Sequence, residues 1–315
     1  MTCLGAHIAA EMNLPIAESA QLLEDLGFDY ISMGEHVTFH CPTTNSFVSL
    51  AVAAGATKRI GLVSTITLLP LYPAALAAKM AADLGFNSGS RFNLGVGVGG
   101  EYPNEFAACG VPLAERGART EEALEILRLL LREDNVTFQG RFWSFSDVSI
   151  APRPPEPPPI WLGGRRPPAL ERAARHADVW MPYAYTPERF QDSLARVRAR
   201  AASLGRDVDA IRGAVGIWVC FDDDRSKGVE RAAALLGGTY GTDMRDAVER
   251  YAVVGTPEQC VERLKDYEAA GADFLMLTTL AETPSAHREA WQAIASDVRP
   301  QLASVERGVA WSARA

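Results

Sequence analysis

Two kinds of segment alternate along nearly the whole chain: short runs of consecutive apolar residues, and longer stretches whose apolar positions recur at helical spacing. Leu4–Ala9 is the first short run, and Pro15–Leu26 then reads as a helix stopped by Gly27. Phe28–Met33, Ile60–Leu69 and Phe92–Val98 repeat the short kind, with the β-branched IGLVSTITLL the plainest strand among them. Phe47–Ala56, which ends near Lys58-Arg59, Pro73–Leu84 and Leu113–Leu131 repeat the long kind. Past residue 160 the rhythm resumes, with strands at Ile160–Leu162, Asp178–Met181, Ile211–Phe221 and Asp273–Thr278. Helices follow at Pro168–His176, Pro187–Leu204, Thr256–Ala270 and Pro284–Leu302. Thr256 is placed to cap its helix and Pro257 suits the first helical position. Continuous apolar strands, unlike alternating ones, signal a parallel sheet buried on both faces.

Strand candidates fall near residues 5, 30, 63, 94, 161, 179, 216 and 275, each before a helical segment. This α/β pattern predicts a (β/α)8 TIM barrel; a doubly wound open sheet is the alternative. The chain reads as one domain, 1–315, with insertions near 135–159 and 223–253. Asn135–Ile150 alternates aromatic and polar residues around Gln139-Gly140, which predicts an inserted hairpin. The proline-rich Ala151–Pro159 must be extended. It reads as a rigid crossing within one domain, because alternation resumes directly after it. Residues 223–253 read as a helical insertion of two pieces around Gly237-Gly238.

Composition narrows the partners. With 48% hydrophobic and 22% charged residues the chain is ordinary for a soluble protein. A formal net charge of -8 argues against nucleic acid and against an anionic membrane surface. No apolar run approaches the roughly 20 residues that span a bilayer. Met1-Thr2-Cys3-Leu4-Gly5 lacks the basic start and long apolar core of a secretion signal, so a cytoplasmic protein is expected. The cysteines (Cys3, Cys41, Cys109, Cys220, Cys260) are dispersed and read as free thiols. His36, His40 and Cys41 have no second cluster of ligands, so no metal is expected.

In such a barrel, function gathers at the C-terminal ends of the strands. That rule selects Glu35-His36, Ser64-Thr65-Ile66-Thr67, Gly97-Val98-Gly99-Gly100-Glu101 and Gly163-Gly164-Arg165-Arg166. His36 can exchange a proton near neutral pH and has Glu35 beside it, although a lone histidine is often structural. Residues 95–100 match G-x-G-x-x-G, but a dinucleotide fingerprint opens a helix in the first βαβ unit, and here the strand is the fourth and Pro103 follows. These glycines either let a flat ring lie on backbone or ease a crowded barrel top. Gly163–Arg166 precedes a helix near Pro167-Pro168, where free amides and a guanidinium make an anion site, or else a plain turn with solvent-facing arginines. His40 and Cys41 share a loop, without an orienting acid in recognisable spacing for a nucleophilic pair. His7, Phe39, Trp180, Tyr183, Tyr185 and the segment 223–253 are the candidate lining for an apolar small-molecule organic substrate.

Several blocks then occur in order: LLEDLGFDYISMGEH (22–36), SRFNLGVGVGGEYPNEFAACGVPLAERGARTEEALEIL (90–127), FQGRFWSF (138–145), PPIWLGGRRPPALERAARHADVWMP (158–182) and GTPEQCVERLKDYEAAGADFLML (255–277). In these blocks the chain resembles the bacterial luciferase-like superfamily, which holds flavin monooxygenases and deazaflavin-dependent oxidoreductases. The resemblance implies a TIM barrel, a homodimer, and deazaflavin (coenzyme F-420) or FMN as cofactor. It places Glu35 and His36 beside the reactive ring. Many deazaflavin members have Asp where Glu35 stands, whereas Glu-His is common among flavin monooxygenases. Ser64, Thr65 and Ile66 match a stretch that carries a non-prolyl cis peptide behind the ring. Val98, Gly99 and Gly100 match the ring lining, with Trp common at Gly100. Gly163, Gly164 and Arg165 match the phosphate loop. The function this implies is deazaflavin-dependent hydride transfer, with His36 as proton donor or base. The alternatives are a reduced-FMN monooxygenase fed by a separate flavin reductase, a non-catalytic flavin-binding protein, and a nicotinamide dehydrogenase.

Overall fold

A computed structural model describes residues 2–302; Met1 and residues 303–315 lie outside them. The elements run β1 (Cys3–His7), α1 (Ile16–Asp25), β2 (Tyr30–Met33), α2 (Ser46–Ala56), β3 (Gly61–Ser64), β4 (Thr67–Leu68), α3 (Ala74–Asn87), β5 (Phe92–Gly97), α4 (Pro103–Ala108) and α5 (Arg116–Leu130). A hairpin follows, β6 (Val136–Gln139) and β7 (Ser144–Val148), then β8 (Ile160–Leu162), α6 (Pro167–His176), β9 (Val179–Trp180), α7 (Pro187–Ser203) and β10 (Arg212–Phe221). The chain continues through α8 (Arg225–Tyr240), α9 (Arg245–Tyr251), β11 (Val253–Gly255), α10 (Pro257–Ala269), β12 (Phe274–Thr279) and α11 (Pro284–Ala293).

Neighbouring strands pair in the order β10-β12-β1-β2-β3-β5-β8-β9, all parallel, and β9 pairs back onto β10. The sheet therefore closes into the expected barrel, and the open doubly wound alternative is excluded. β10 is the longest barrel strand; its far end carries β11 outside the ring.

The strands bury both faces. Tyr30, Val63, Trp161, Val179, Phe274 and Met276 fill the barrel, and Leu23, Leu50, Leu124, Phe190 and Leu264 pack the helix layer around it. α3 lies close on the strands because Ala74, Ala77, Ala78, Ala81 and Ala82 face them. At the N-terminal end of the barrel one device recurs: an aspartate just before a strand accepts an N–H from the first or second residue of the neighbouring strand. Asp29 takes Leu4 N at 2.8 Å, Asp178 takes Ile160 N at 2.8 Å and Asp273 takes Gly213 N at 2.9 Å. Each aspartate also meets an arginine, respectively Arg299, Arg128 and Arg212.

Several boundaries differ from the sequence reading. The run 60–69 is two strands, because the chain turns away at Thr65–Ile66, a cis peptide bond. Ser64 Oγ there accepts Gly95 N at 2.8 Å and donates to Gly95 O at 2.9 Å; a Cβ on Gly95 would lie 1.8 Å from Ser64 O, so only glycine permits the approach. The helical insertion breaks at Gly241, φ 66°, while Gly237-Gly238 sits inside α8. α11 gives way after Ala293 to a wider turn and a short 3-10 segment, where Pro300 offers no N–H to continue the helix. The hairpin forms as expected, and Glu122 of α5 fastens it by accepting the N–H groups of Arg141, Phe142 and Trp143.

Candidate active site

Parallel pairing puts the ends of β2, β3, β5 and β8 side by side, so the four candidate loops share one rim. His36 Nδ1 lies 3.1 Å from Glu105 Oε2 and 3.3 Å from Oε1. Glu105 is fully buried and also accepts Val37 N at 3.2 Å. A carboxylate only accepts, so Nδ1 carries the hydrogen and Nε2 is the nitrogen able to exchange a proton at the mouth. Phe39 stacks on the imidazole, centroids 4.1 Å apart and planes at 13°. The sequence reading missed Glu105 because Pro103 was weighed only against a dinucleotide fingerprint and not as a helix start. It is instead the first residue of α4. The signal present was proline followed two positions later by an acid, a helix start.

Glu35 does not pair with His36, which corrects the expectation of a catalytic acid-histidine unit. Its carboxylate turns into the wall and accepts from Leu68 N at 2.8 Å, Ser46 Oγ at 2.7 Å, Ser46 N at 3.1 Å, Tyr72 OH at 3.1 Å and Asn45 Nδ2 at 3.3 Å. It ties the start of α2 to β4, and an anion there also suits the helix N-terminus. Next to it, Thr65 Oγ1 is 3.2 Å from His7 Nδ1, which is 3.0 Å from Ser32 Oγ. Desolvation lowers the His7 pKa to about 4, so this ring on the floor of the mouth is neutral.

The turn after β8 departs from expectation in its donors. Pro167 and Pro168 open α6 and have no N–H, so the helix start adds none. The turn can offer the N–H groups of Gly164, Arg165 and Arg166; Gly163 N is engaged with Val96 O at 3.2 Å. Trp180 and Tyr185, expected as substrate lining, instead hold this turn from behind. Trp180 is buried, stacks on Phe190 of α7 and donates to Gly164 O at 3.2 Å. Tyr185 donates to Arg165 O at 3.3 Å. Arg116, at the start of α5, approaches the same rim: a Cβ on Gly100, φ 106°, would lie 2.8 Å from its Nε.

Phe39 and Tyr183 do face the mouth, where a cavity of about 310 Å³ opens beneath α8 and α9. Tyr183 OH donates to Glu101 Oε1 at 2.6 Å, and the Arg165 guanidinium lies 4.6 Å from the Tyr183 ring centroid. His40 and Cys41 are not a nucleophilic pair: His40 packs on Tyr102, and the Cys41 thiol, 4.0 Å from Glu11 Oε2, is pushed up by burial and by that carboxylate. Among the described residues no group of three His, Cys, Asp or Glu is arranged to hold a metal ion.

A family model described as luciferase-like monooxygenase matches residues 12–247. The chain belongs to this family. Among luciferase-like relatives, an F420-dependent glucose-6-phosphate dehydrogenase of Beutenbergia cavernae is 28% identical, over 98% of this chain and 100% of its own. An FMNH2-dependent dimethylsulfone monooxygenase of Pseudomonas putida is 26% identical, over 82% of this chain and 80% of its own. Uncharacterized mycobacterial proteins match at 36% identity over 52% of the chain, and the match spans 57% of their length. The fold is shared with an F420-dependent secondary alcohol dehydrogenase solved with an F420-acetone adduct: TM-score 0.85 and 21% identity, covering 96% of this chain and 99% of that one.

Proposed function

We propose that this luciferase-like chain is an oxidoreductase that holds deazaflavin (coenzyme F-420) at the barrel mouth and transfers hydride to or from a small organic substrate. The observation that carries the reading is the His36–Glu105 pair, set on the same rim as the glycine turns after β5 and β8.

The residues present fit such a cofactor. Arg116 Nε is buried without a hydrogen-bond partner among the described residues, directly beside Gly100. A spare guanidinium donor next to exposed glycine backbone suits a phosphate ester. Arg116 and the Gly163-Gly164-Arg165 turn would hold the phosphorylated tail, with Ile66, Val98 and Gly99 along the ring. Bound there, deazaflavin supplies a two-electron hydride carrier. His36 Nε2 takes the proton of a substrate hydroxyl as hydride leaves its carbon, and returns it in the reverse direction. Glu105 fixes the tautomer and stabilises the protonated ring, while Phe39 shields one imidazole face from water.

The second reading is a reduced-FMN monooxygenase supplied by a separate flavin reductase. The Pseudomonas putida relative and the Glu-His sequence at 35–36 support it. Anaerobic titration with deazaflavin and with reduced FMN separates the two. Micromolar or tighter binding of deazaflavin supports the first reading, and binding of FMN alone removes it.

The exposed Val48 and Val52 of α2 and Leu76 of α3 support a homodimer through these adjacent helices, checked by light scattering of a Val52→Asp variant. The free cysteines support a reducing, cytoplasmic location; among the described residues no helix is long and apolar enough to cross a membrane.

A further inference from the structure

His7 stands in the barrel interior with one ring nitrogen engaged and the other free. It ends β1, and Cys3, Gly5 and His7 line the inner face of that strand, since successive side chains alternate. Below it the interior is apolar: a Cβ on Gly5 would lie 2.3 Å from Met276 Cε and 3.3 Å from Tyr30 Cβ. At His7 the lining turns polar, with Ser32 Oγ 3.0 Å and Thr65 Oγ1 3.2 Å from Nδ1. Ser32 is fully buried, and its hydroxyl hydrogen has no other acceptor among the described residues. That hydrogen therefore goes to Nδ1, so the neutral ring carries its own hydrogen on Nε2. Nε2 has no partner among the described residues and is not enclosed.

β1 lies across the barrel from β8. In the closed ring β2, β3 and β5 separate the two on one side, and β12, β10 and β9 on the other. The phosphate donors proposed above, Arg116 and the Gly163-Gly164-Arg165 turn, stand on the β5 and β8 side. A ring system anchored there and lying past Ile66 extends across the mouth toward β1. Thr65, bonded to His7, is the neighbour of Ile66. A Cβ on Gly34, just before Glu35-His36, would lie 3.8 Å from His7 Cε1. His7 thus borders both the wall assigned to the ring and the loop of the acid-base pair.

We propose that His7 is a cofactor-positioning residue whose Nε2–H donates to a pyrimidine carbonyl of the bound ring and fixes how that ring sits in the mouth. The inference rests on the mouth being a flavin-type site, not on which cofactor fills it, because FMN and deazaflavin share the pyrimidinedione.

The test binds oxidised cofactors to the full chain and needs no turnover. FMN and deazaflavin are each titrated against wild type, His7→Leu, which has no donor, and His7→Gln, which keeps an N–H. The expected result is a Kd raised about three- to tenfold in His7→Leu and largely restored in His7→Gln. The infrared carbonyl band of the bound ring should move to higher frequency in His7→Leu alone, a change that lost packing does not produce. Nitrogen NMR of isotope-labelled histidine, with His7 assigned by its loss in His7→Gln, should show hydrogen on Nε2 and a shift there on adding cofactor. This measurement uses wild type and stands even where His7→Leu folds poorly. Hydrogen on Nδ1, or a Kd and carbonyl band unchanged in His7→Leu, overturns the proposal and leaves the cofactor reading intact. Binding of FMN alone removes the deazaflavin reading and leaves His7 judged on FMN; binding of neither ring overturns both.

Discussion

His36 Nδ1 and Glu105 Oε2 stand 3.1 Å apart although 69 residues separate them in the chain. The carboxylate is fully enclosed and also accepts Val37 N, so it fixes both the ring and the backbone just beyond it. The pair has the histidine-orienting geometry of an acid-base unit, which on the proposed reading leaves Nε2 for substrate.

His36→Ala should therefore lower kcat by about 10²–10⁴-fold with cofactor binding retained. Glu105→Gln keeps an acceptor for Nδ1 but loses the charge that stabilises protonated His36. Its kcat should fall by about a hundredfold with KM little changed. Steady-state kinetics of both variants check this, and a Glu105→Gln enzyme with full kcat would detach Glu105 from the chemistry.

Glu35 should behave differently despite being His36's neighbour. Its carboxylate accepts five hydrogen bonds inside the wall, and glutamine cannot reproduce them all. Glu35→Gln is expected to cost about 1–3 kcal/mol of stability in urea denaturation. The loss of kcat should be smaller than in His36→Ala.

His7 sets a pH dependence of stability. Its folded pKa is lowered from 6.5 to about 4 by desolvation, so between these values the unfolded chain binds more protons. Stability is full above pH 6.5 and falls as pH drops toward 4. His287, also lowered by burial, adds in the same direction and remains in a His7→Gln variant. Thermal midpoints measured from pH 7 downward should decline more steeply for the wild type than for His7→Gln.

Much of this was legible in the sequence, and the reason is burial. Strands enclosed on both faces read as apolar runs, so all eight barrel strands were expected near their observed positions. Their limits were less so: a run such as 60–69 looks continuous because the turn at Thr65–Ile66 is set by the neighbouring β5, not by local composition. His36 stood out as a titratable residue at a strand end. Glu105 did not, because its partner is distant in sequence and its six-residue helix is short. Trp180 and Tyr185 were misplaced for another reason. An aromatic side chain has the same composition signal whether it faces the mouth or packs against the helix layer.

Arg116 should matter for binding more than for folding. Removing its unpartnered Nε in Arg116→Gln takes away a charge-assisted donor beside Gly100 while α5 stays packed. The Kd for deazaflavin should rise by about tenfold or more, with an unchanged far-ultraviolet circular dichroism spectrum. An unchanged Kd would place the phosphate elsewhere.

The account is tested most directly by a crystal structure of the chain with deazaflavin bound. It predicts the ring at the C-terminal mouth within reach of His36 Nε2, and a phosphate oxygen within hydrogen-bond distance of Arg116 or the Gly164–Arg166 amides. Density for the cofactor away from that rim, or His36 turned from the ring, would contradict it.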